Sequence, residues 1–327
     1  MSARAAVHWS LYARLVGVAA LWGGTFIAGR IAAPQLPHFT LAALRFWIAA
    51  ALLLPLLMIV ERGLPRLRPR DWLYTALLAL SGLVTYNLLF LGALEHIPAS
   101  RTALVVAMNP IITAVAMASV FGERLAAHRW VGILLALTGV CLVLARGDLT
   151  LLWQRIGIGE LLMLGGALCW ALYTIISRFA LRGEGAPSPL AMTTVTALWG
   201  ALMLSLGTPA EWAHWQLDQV GWEVWASIFF LGAGGTALAF VWYAQGLQVL
   251  GAARTSVFNN LVPVFGVTFS AVLLGEPILP SMIIGGVVAL AGVSLTNWNR
   301  AAKAPQDGGA IAPADYRQST KISDLHT

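Results

Sequence analysis

The hydrophobic positions of this chain fall in runs of roughly twenty residues, separated by short stretches that carry most of its charge. Ten such runs can be marked, at roughly 13–31, 39–60, 72–93, 99–121, 129–146, 157–180, 190–207, 224–247, 252–274 and 280–298. Each is long enough to cross a hydrocarbon core of ~30 Å as a helix. The pattern predicts an all-α integral membrane protein with ten transmembrane helices.

The runs are not independent. The stretch Ala99–Leu142 aligns without a gap to Ala252–Leu295. Arg101 falls on Arg254, Pro110 on Pro263, Gly122-Glu123 on Gly275-Glu276, Gly132 on Gly285 and Gly139-Val140 on Gly292-Val293. Trp22 of the first run likewise matches Trp170 of the sixth, and Trp47 of the second matches Trp199 of the seventh. Runs one to five therefore correspond to runs six to ten, and internal repetition of this kind fixes architecture. The expected divisions are a cytoplasmic N-terminus at 1–12, a first repeat at 13–146, a second at 157–298 and a disordered cytoplasmic tail at 299–327, which lacks apolar periodicity. Because the first run is part of the repeat, it reads as a retained span and not as a signal peptide.

Composition supports a membrane chain. Of 327 residues, 59% are hydrophobic and 10% charged, against about 25% charged in soluble domains. The formal charge of +6 is a topology signal before it is a nucleic-acid signal, so no nucleic-acid partner is expected. With the N-terminus inside, the inner loops hold Arg4, Arg14, Arg62, Arg66, Arg68, Arg70, Arg124, Arg129, Arg178, Arg182, Arg254, Arg300 and Lys303, and the outer loops only Arg30, Arg101, Arg146 and Arg155. Both termini are then cytoplasmic. Five spans per repeat is an odd number, so the two halves cross the membrane in opposite directions. Inverted repeats around a site near the midplane are the plan of many secondary transporters. Cys141 and Cys169 lie in apolar runs with no metal or redox spacing, and neither a metal nor another cofactor is expected.

The Gly-Glu break, with a proline twelve residues before it and a glycine-rich closing helix (LTGVCLV, LAGVSL), resembles the EamA domain, as does LWGGTFIAGRIA followed by FTLAALRFWIAALLL. Two such domains resemble the drug/metabolite transporter superfamily over nearly all of 13–298. The resemblance implies a small-metabolite carrier of the inner or plasma membrane, often an exporter of amino acids or related compounds. The superfamily's small multidrug branch carries a Glu within its first span, whereas 13–31 contains no acid here.

Candidate site residues come in three groups. Pro110 and Pro263 remove a backbone N–H from the middle of spans four and nine, and Asn109, Asn259 and Asn260 sit beside them. The prolines are candidate gates and the amides candidate substrate ligands; the alternative is interhelical bonding or simple kinks. Trp22, Thr25, Tyr86, Asn87, Trp170, Tyr173 and Tyr243 lie inside spans one, three, six and eight, where they either wall a cavity or pack between helices. Trp212, Trp215, Trp222 and Trp225 fit an interfacial belt. Arg45 is the ionisable group well inside a run, and its repeat counterpart is Ala197. It either meets a substrate carboxylate or snorkels outward from the outer third of span two. Glu123 and Glu276, at span ends, read as structural caps, and Glu95 and His96 as interfacial loop residues.

The fourteen acids all fall in loops, span ends or the tail, so no carboxylate relay at the midplane is visible. No paired carboxylates, His cluster or Ser/His set lies within the spans, which argues against an enzyme. The expected partners are a small-molecule substrate and the lipid bilayer, with a homodimer left open. Alternatives are a sugar, nucleotide-sugar or drug carrier, or a non-transporting membrane scaffold. Phosphorylated substrates would demand several inward cations, and Arg45 alone qualifies.

Overall fold

The structure is a computed structural model. It describes residues 3–63, 65–109, 111–113, 115–116, 127–145, 157–181, 185–211, 220–250 and 257–296. Among these residues all regular structure is helical. That follows from the composition: in hydrocarbon each backbone N–H and C=O needs a partner within the segment, and a helix supplies one locally.

The helices are α1 (Ala3–Ala32), α2 (His38–Glu61), α3 (Pro69–His96), α4 (Ala99–Val106), α5 (Ala127–Ala145), α6 (Ile158–Ala180), α7 (Pro189–Ser205), α8 (222–250), α9 (Val262–Leu274) and α10 (Pro280–Thr296). Five stretches are long and apolar enough to cross a membrane: Ser10–Ala32, His38–Glu61, Pro69–His96, Ile158–Ser177 and Trp222–Tyr243. Shorter apolar helices cover Ala127–Val143, Pro189–Ser205, Phe258–Leu274 and Pro280–Leu295.

Local chemistry sets the ends. Pro37 precedes α2, and Arg62 closes it in the left-handed region at φ 54°. Ser188 caps α7 by accepting from Ala191 N at 2.9 Å, with Pro189 in the first turn. Gly275, at φ 65°, ends α9 where a side chain would be strained. Outward faces are apolar as well as the core: Leu73, Leu134, Leu161, Phe229, Val272 and Val287 are all exposed. A helix set that is apolar on both sides is solvated by lipid, not water. Trp222 and Trp225 are exposed at the start of α8, as a belt residue should be; Trp212 and Trp215 lie outside the described residues.

Two features show how the halves meet. The first is the α5–α10 pair. A Cβ on Gly139 would sit 2.5 Å from Gly285 O, and one on Gly292 would sit 2.6 Å from Gly132 O. Gly139 also abuts Ala289, and Gly292 abuts Ala136. Val143 clusters with Met282, and Ala136 with Val293. Rising residue numbers in α5 thus meet falling numbers in α10, so these repeat-related helices run antiparallel. The glycine contacts are matched by their repeat counterparts, the signature of an isologous, two-fold contact. Small residues let the backbones touch, the usual packing device where no water drives association.

The second feature is a pair of π-helical segments, Ala79–Thr85 in α3 and Phe230–Leu238 in α8. The shift that carries Arg101 onto Arg254 carries the first into the second, and Gly82 onto Gly235. A Cβ on Gly82 would lie 2.6 Å from Tyr173 Cγ of α6; one on Gly235 would lie 2.5 Å from Thr25 Cγ2 of α1. Tyr173 and Thr25 are themselves repeat counterparts. The third helix of each half therefore crosses the first helix of the other at a π-helical glycine. Such segments interrupt the ordinary ladder and are frequent at functional sites.

Candidate functional site

Arg45 lies seven residues into α2, about 10 Å along the helix from His38 at 1.5 Å per residue. Its side chain turns inward. Nε donates to Thr236 Oγ1 of α8 at 3.1 Å, and Nη1 donates to Asn87 Oδ1 of α3 at 2.8 Å. Both partners are buried, and each donates to backbone through its own N–H or O–H. Asn87 Nδ2 donates to Leu83 O at 2.8 Å, and Thr236 Oγ1 donates to Leu231 O at 2.8 Å. Each is left presenting an acceptor to the cation. Leu83, Leu231 and Thr236 all belong to the π-helical segments, so Arg45 is fixed where α3 and α8 depart from regular helix.

The guanidinium has no acidic neighbour among the described residues. The ion pairs there are His38–Glu95, Arg68–Asp71, Arg70–Asp71 and Arg101–Glu160. Arg45 is only partly buried, and it is held by neutral acceptors.

Two aromatic groups flank it. Tyr86, within electrostatic range of Arg45, stacks on Phe90 at 5.8 Å and meets Trp170 at 5.2 Å; Trp170 stacks on Tyr173 at 5.1 Å. In the other group Trp22 meets Tyr243 at 5.3 Å and Phe240 at 5.8 Å, and its Nε1 donates to Gly235 O at 3.1 Å. Thr25 is buried, and its hydroxyl donates to Trp22 O at 2.6 Å. The groups join, since Tyr173 lies within electrostatic range of Tyr243. Asn259 Nδ2 reaches the Tyr243 hydroxyl at 3.4 Å, a long bond.

The remaining candidates divide. Asn260 turns to Ser294 of α10, 3.4 Å away, outside this cluster. Asn109 is buried, and its Oδ1 has no partner among the described residues. Pro110 lies outside the described residues. Pro263 is not in the middle of a continuous helix: a 3₁₀ turn at Val257–Leu261 precedes it, and it occupies the first turn of α9. A missing N–H costs nothing there. α4 likewise stops at Val106, and Met108 N bonds back to Val105 O at 3.0 Å. The break expected at Pro263 is therefore a helix start and not a kink, and in span four α4 ends three residues before Asn109.

One end of the bundle is tied by acids from the second half. Glu276 accepts from Ala99 N at 2.9 Å, Ser100 N at 3.1 Å and Ser100 Oγ at 2.7 Å, and from Ser270 Oγ. It caps α4 of the other half and not the helix that follows it. Desolvation pushes its carboxyl up, but the donors from Ser270, Ser100 and Ala99 outweigh that and hold it below the usual carboxylate range. Glu211 caps α2 in the same way, through Phe39 N, Thr40 N and Thr40 Oγ1, each at 2.9 Å. At the opposite end of α2, Glu61, near the repeat position of Glu211, contacts Ser188 at the start of α7. Arg101, expected as a loop residue, is buried, with Nη1 2.9 Å from Glu160 Oε1; Glu160 Oε2 also accepts from Gly157 N. A shallow cavity of about 370 Å³ at this end is lined by Gln35, His38, Glu95 and Glu211, with His38 Nε2 3.1 Å from Glu95. Glu95 and His96 belong to the last turn of α3. Glu123 lies outside the described residues.

Sequence reasoning missed Thr236 and Glu160. The run Gly-Ala-Gly-Gly-Thr at 232–236 was the available signal for the first. For the second, a glutamate three residues after Gly157 signals a cap but not its long-range partner.

The model of the EamA-like transporter family matches residues 9–145 and again 157–298. The chain belongs to the EamA-like transporter family. It is therefore a multi-pass membrane protein of transporter type. It is 30% identical to the uncharacterized transporter YyaM of Bacillus subtilis, over 88% of this chain and 93% of the relative. It is 28% identical to a probable amino-acid metabolite efflux pump of Salmonella typhimurium, over 84% and 91%. A probable terminal-alkyne amino-acid exporter of Streptantibioticus cattleyicolor is 26% identical over 88% and 92%. A solved crystal structure, 22% identical in sequence, superposes with a TM-score of 0.61 over 88% of this chain and 96% of its own, a likeness of fold.

Proposed function

We propose that this EamA-family protein is a secondary transporter of the cell membrane that exports amino acids or related small metabolites. In this reading ten helices form two inverted five-helix repeats, with both termini cytoplasmic, and substrate crosses by alternating access at the interface between the halves. The observation that carries it is the reciprocal crossing of α3 with α6 and of α8 with α1 at π-helical glycines, with Arg45 held between α3 and α8. The antiparallel contact of α5 with α10 supports inversion. A two-fold interface has two equivalent ways to open, one toward each face, which alternating access requires. The names of the Salmonella and Streptantibioticus relatives support amino-acid-like cargo.

Trp22, Thr25, Arg45, Tyr86, Asn87, Trp170, Tyr173, Tyr243 and Asn259 form the substrate surface in this proposal, with Asn109 and Asn260 beside helix ends, and the gate lies at the junction of the 3₁₀ turn with α9 at Pro263 and, by the repeat, at Pro110. A sugar, nucleotide-sugar or drug carrier is the second reading. Among the described residues Arg45 is the one cation at this aromatic interface, which favours a smaller and partly apolar solute.

The test has two parts. Purified protein in liposomes should catalyse counterflow of amino acids or their derivatives; no flux of any such solute would refute the substrate reading. A reporter fused at Lys303 should behave as cytoplasmic and one inserted at Gln216 as external. The same side for both would refute inversion.

A further inference from the structure

The repeat places Ala197, itself buried, where the first half has Arg45. The helices that frame the site are matched between the halves but most of its side chains are not, and this mismatch leaves it a single uncompensated positive charge among the described residues. The protein bonds to the guanidinium use Nε and Nη1. They go to neutral acceptors, which fix its plane but not its charge. A carboxylate is the group that would complete it, because the fork of donors matches two oxygens.

We propose that the exported species is a monovalent carboxylate anion that supplies the counter-charge Arg45 lacks, and that the membrane potential drives its export. The proposal rests on the reading of Arg45 as part of the transport site. A guanidinium held at membrane depth with only neutral partners is costly, and pairing with a bound carboxylate relieves that cost. The loaded site is then neutral and the empty one carries +1. When access switches back after release, an inside-negative potential draws the empty, cationic site toward the cytoplasmic face. Each cycle moves one negative charge out, and 100 mV sustains about a fifty-fold gradient of a monovalent anion. No acid beside Arg45 is present among the described residues to receive an ammonium, so a zwitterion fits less well than an acylated or deaminated amino acid. A dianionic phosphate would lack a second cation. This source of energy needs no midplane carboxylate relay.

The experiment uses the full chain in liposomes at pH 7.5, with potassium gradients and valinomycin setting a potential of either sign. The probes are N-acetylphenylalanine (anion), phenylalanine (zwitterion) and N-acetylphenylalaninamide (neutral). The anion should enter faster with the interior positive than negative, and at least ten times faster than the amide, whose flux should ignore the potential. Arg45→Gln should lower the anion-to-amide flux ratio at least tenfold. Asn87→Asp keeps Arg45 but gives it an internal counter-charge, and should lower the ratio similarly, so the test survives if one variant does not assemble. Anion flux indifferent to the potential, or a ratio unchanged in an assembled variant, would overturn the proposal. So would phenylalanine moving as fast as its N-acetyl derivative, which would leave the transport reading intact. No flux of any probe would overturn both.

Discussion

The α5–α10 contact allows a quantitative test of the two-fold relation between the halves. Gly139→Ala would put a Cβ 2.5 Å from Gly285 O and 2.8 Å from Ala289 Cα. Gly292→Ala would put one 2.6 Å from Gly132 O and 2.7 Å from Ala136 Cβ. The clashing atoms are mostly backbone, so no rotamer change relieves them. The helices must separate by about 1 Å to restore ordinary contact, and a gap of that size forfeits about a quarter to a half of the dispersion well of each atom pair it opens. Overpacking of this kind costs about 1–3 kcal/mol, and rigid backbone neighbours place the expectation near ~2 kcal/mol for each variant. Because the contact is isologous, the two costs should agree within about 0.5 kcal/mol. Ala136 and Gly139 are less than one turn apart, so one displacement relieves both clashes. The double variant should then cost about 2–3 kcal/mol, less than the sum of the singles. Unfolding of detergent-solubilised protein, followed by tryptophan fluorescence, measures all three. A cost below about 0.5 kcal/mol for either single, or full additivity in the double, would refute the close two-fold packing.

Further predictions follow from the tied end of the bundle. Glu160→Ala takes the paired carboxylate from buried Arg101 and should destabilise the protein by about 3–5 kcal/mol, whereas replacing both partners with Met should restore much of that; equal losses in both would show that the pair is not sealed from water. Glu276 has a depressed folded pKa, so its stabilising contribution is complete above the ordinary value of 4.5 and is lost as pH falls through the folded value. Melting temperature should therefore be flat from pH 6 to 8 on this account and fall in acid, and Glu276→Gln should shrink the acid-dependent part; an unchanged acid profile in the variant would refute the cap.

Much of this arrangement was legible in the chain, and the limit was physical. The repeat could be read because its small residues, such as Gly132, Gly139, Gly285 and Gly292, must stay in register for two backbones to touch. Apolar runs revealed membrane helices because nothing else satisfies the backbone in lipid. What escaped was whatever depends on a partner distant in sequence. Glu276 could be read as a cap, but the helix it caps begins at Ala99 in the other half. Arg45 could be read as snorkelling or as facing inward, and only the positions of Asn87 and Thr236 direct it inward. The π-helical segments leave no trace in apolar periodicity, since every face of those helices is already apolar. The apolar run places Pro263 mid-span, but the helix starts there, because a 3₁₀ turn precedes the proline. A duplicated scaffold supplies two equivalent ways of opening, and a residue present in both halves would act alike in each. Arg45 is present in one half only, so it cannot serve the symmetric part of the cycle. A residue of that kind is suited to distinguishing one solute from another, and a loaded site from an empty one.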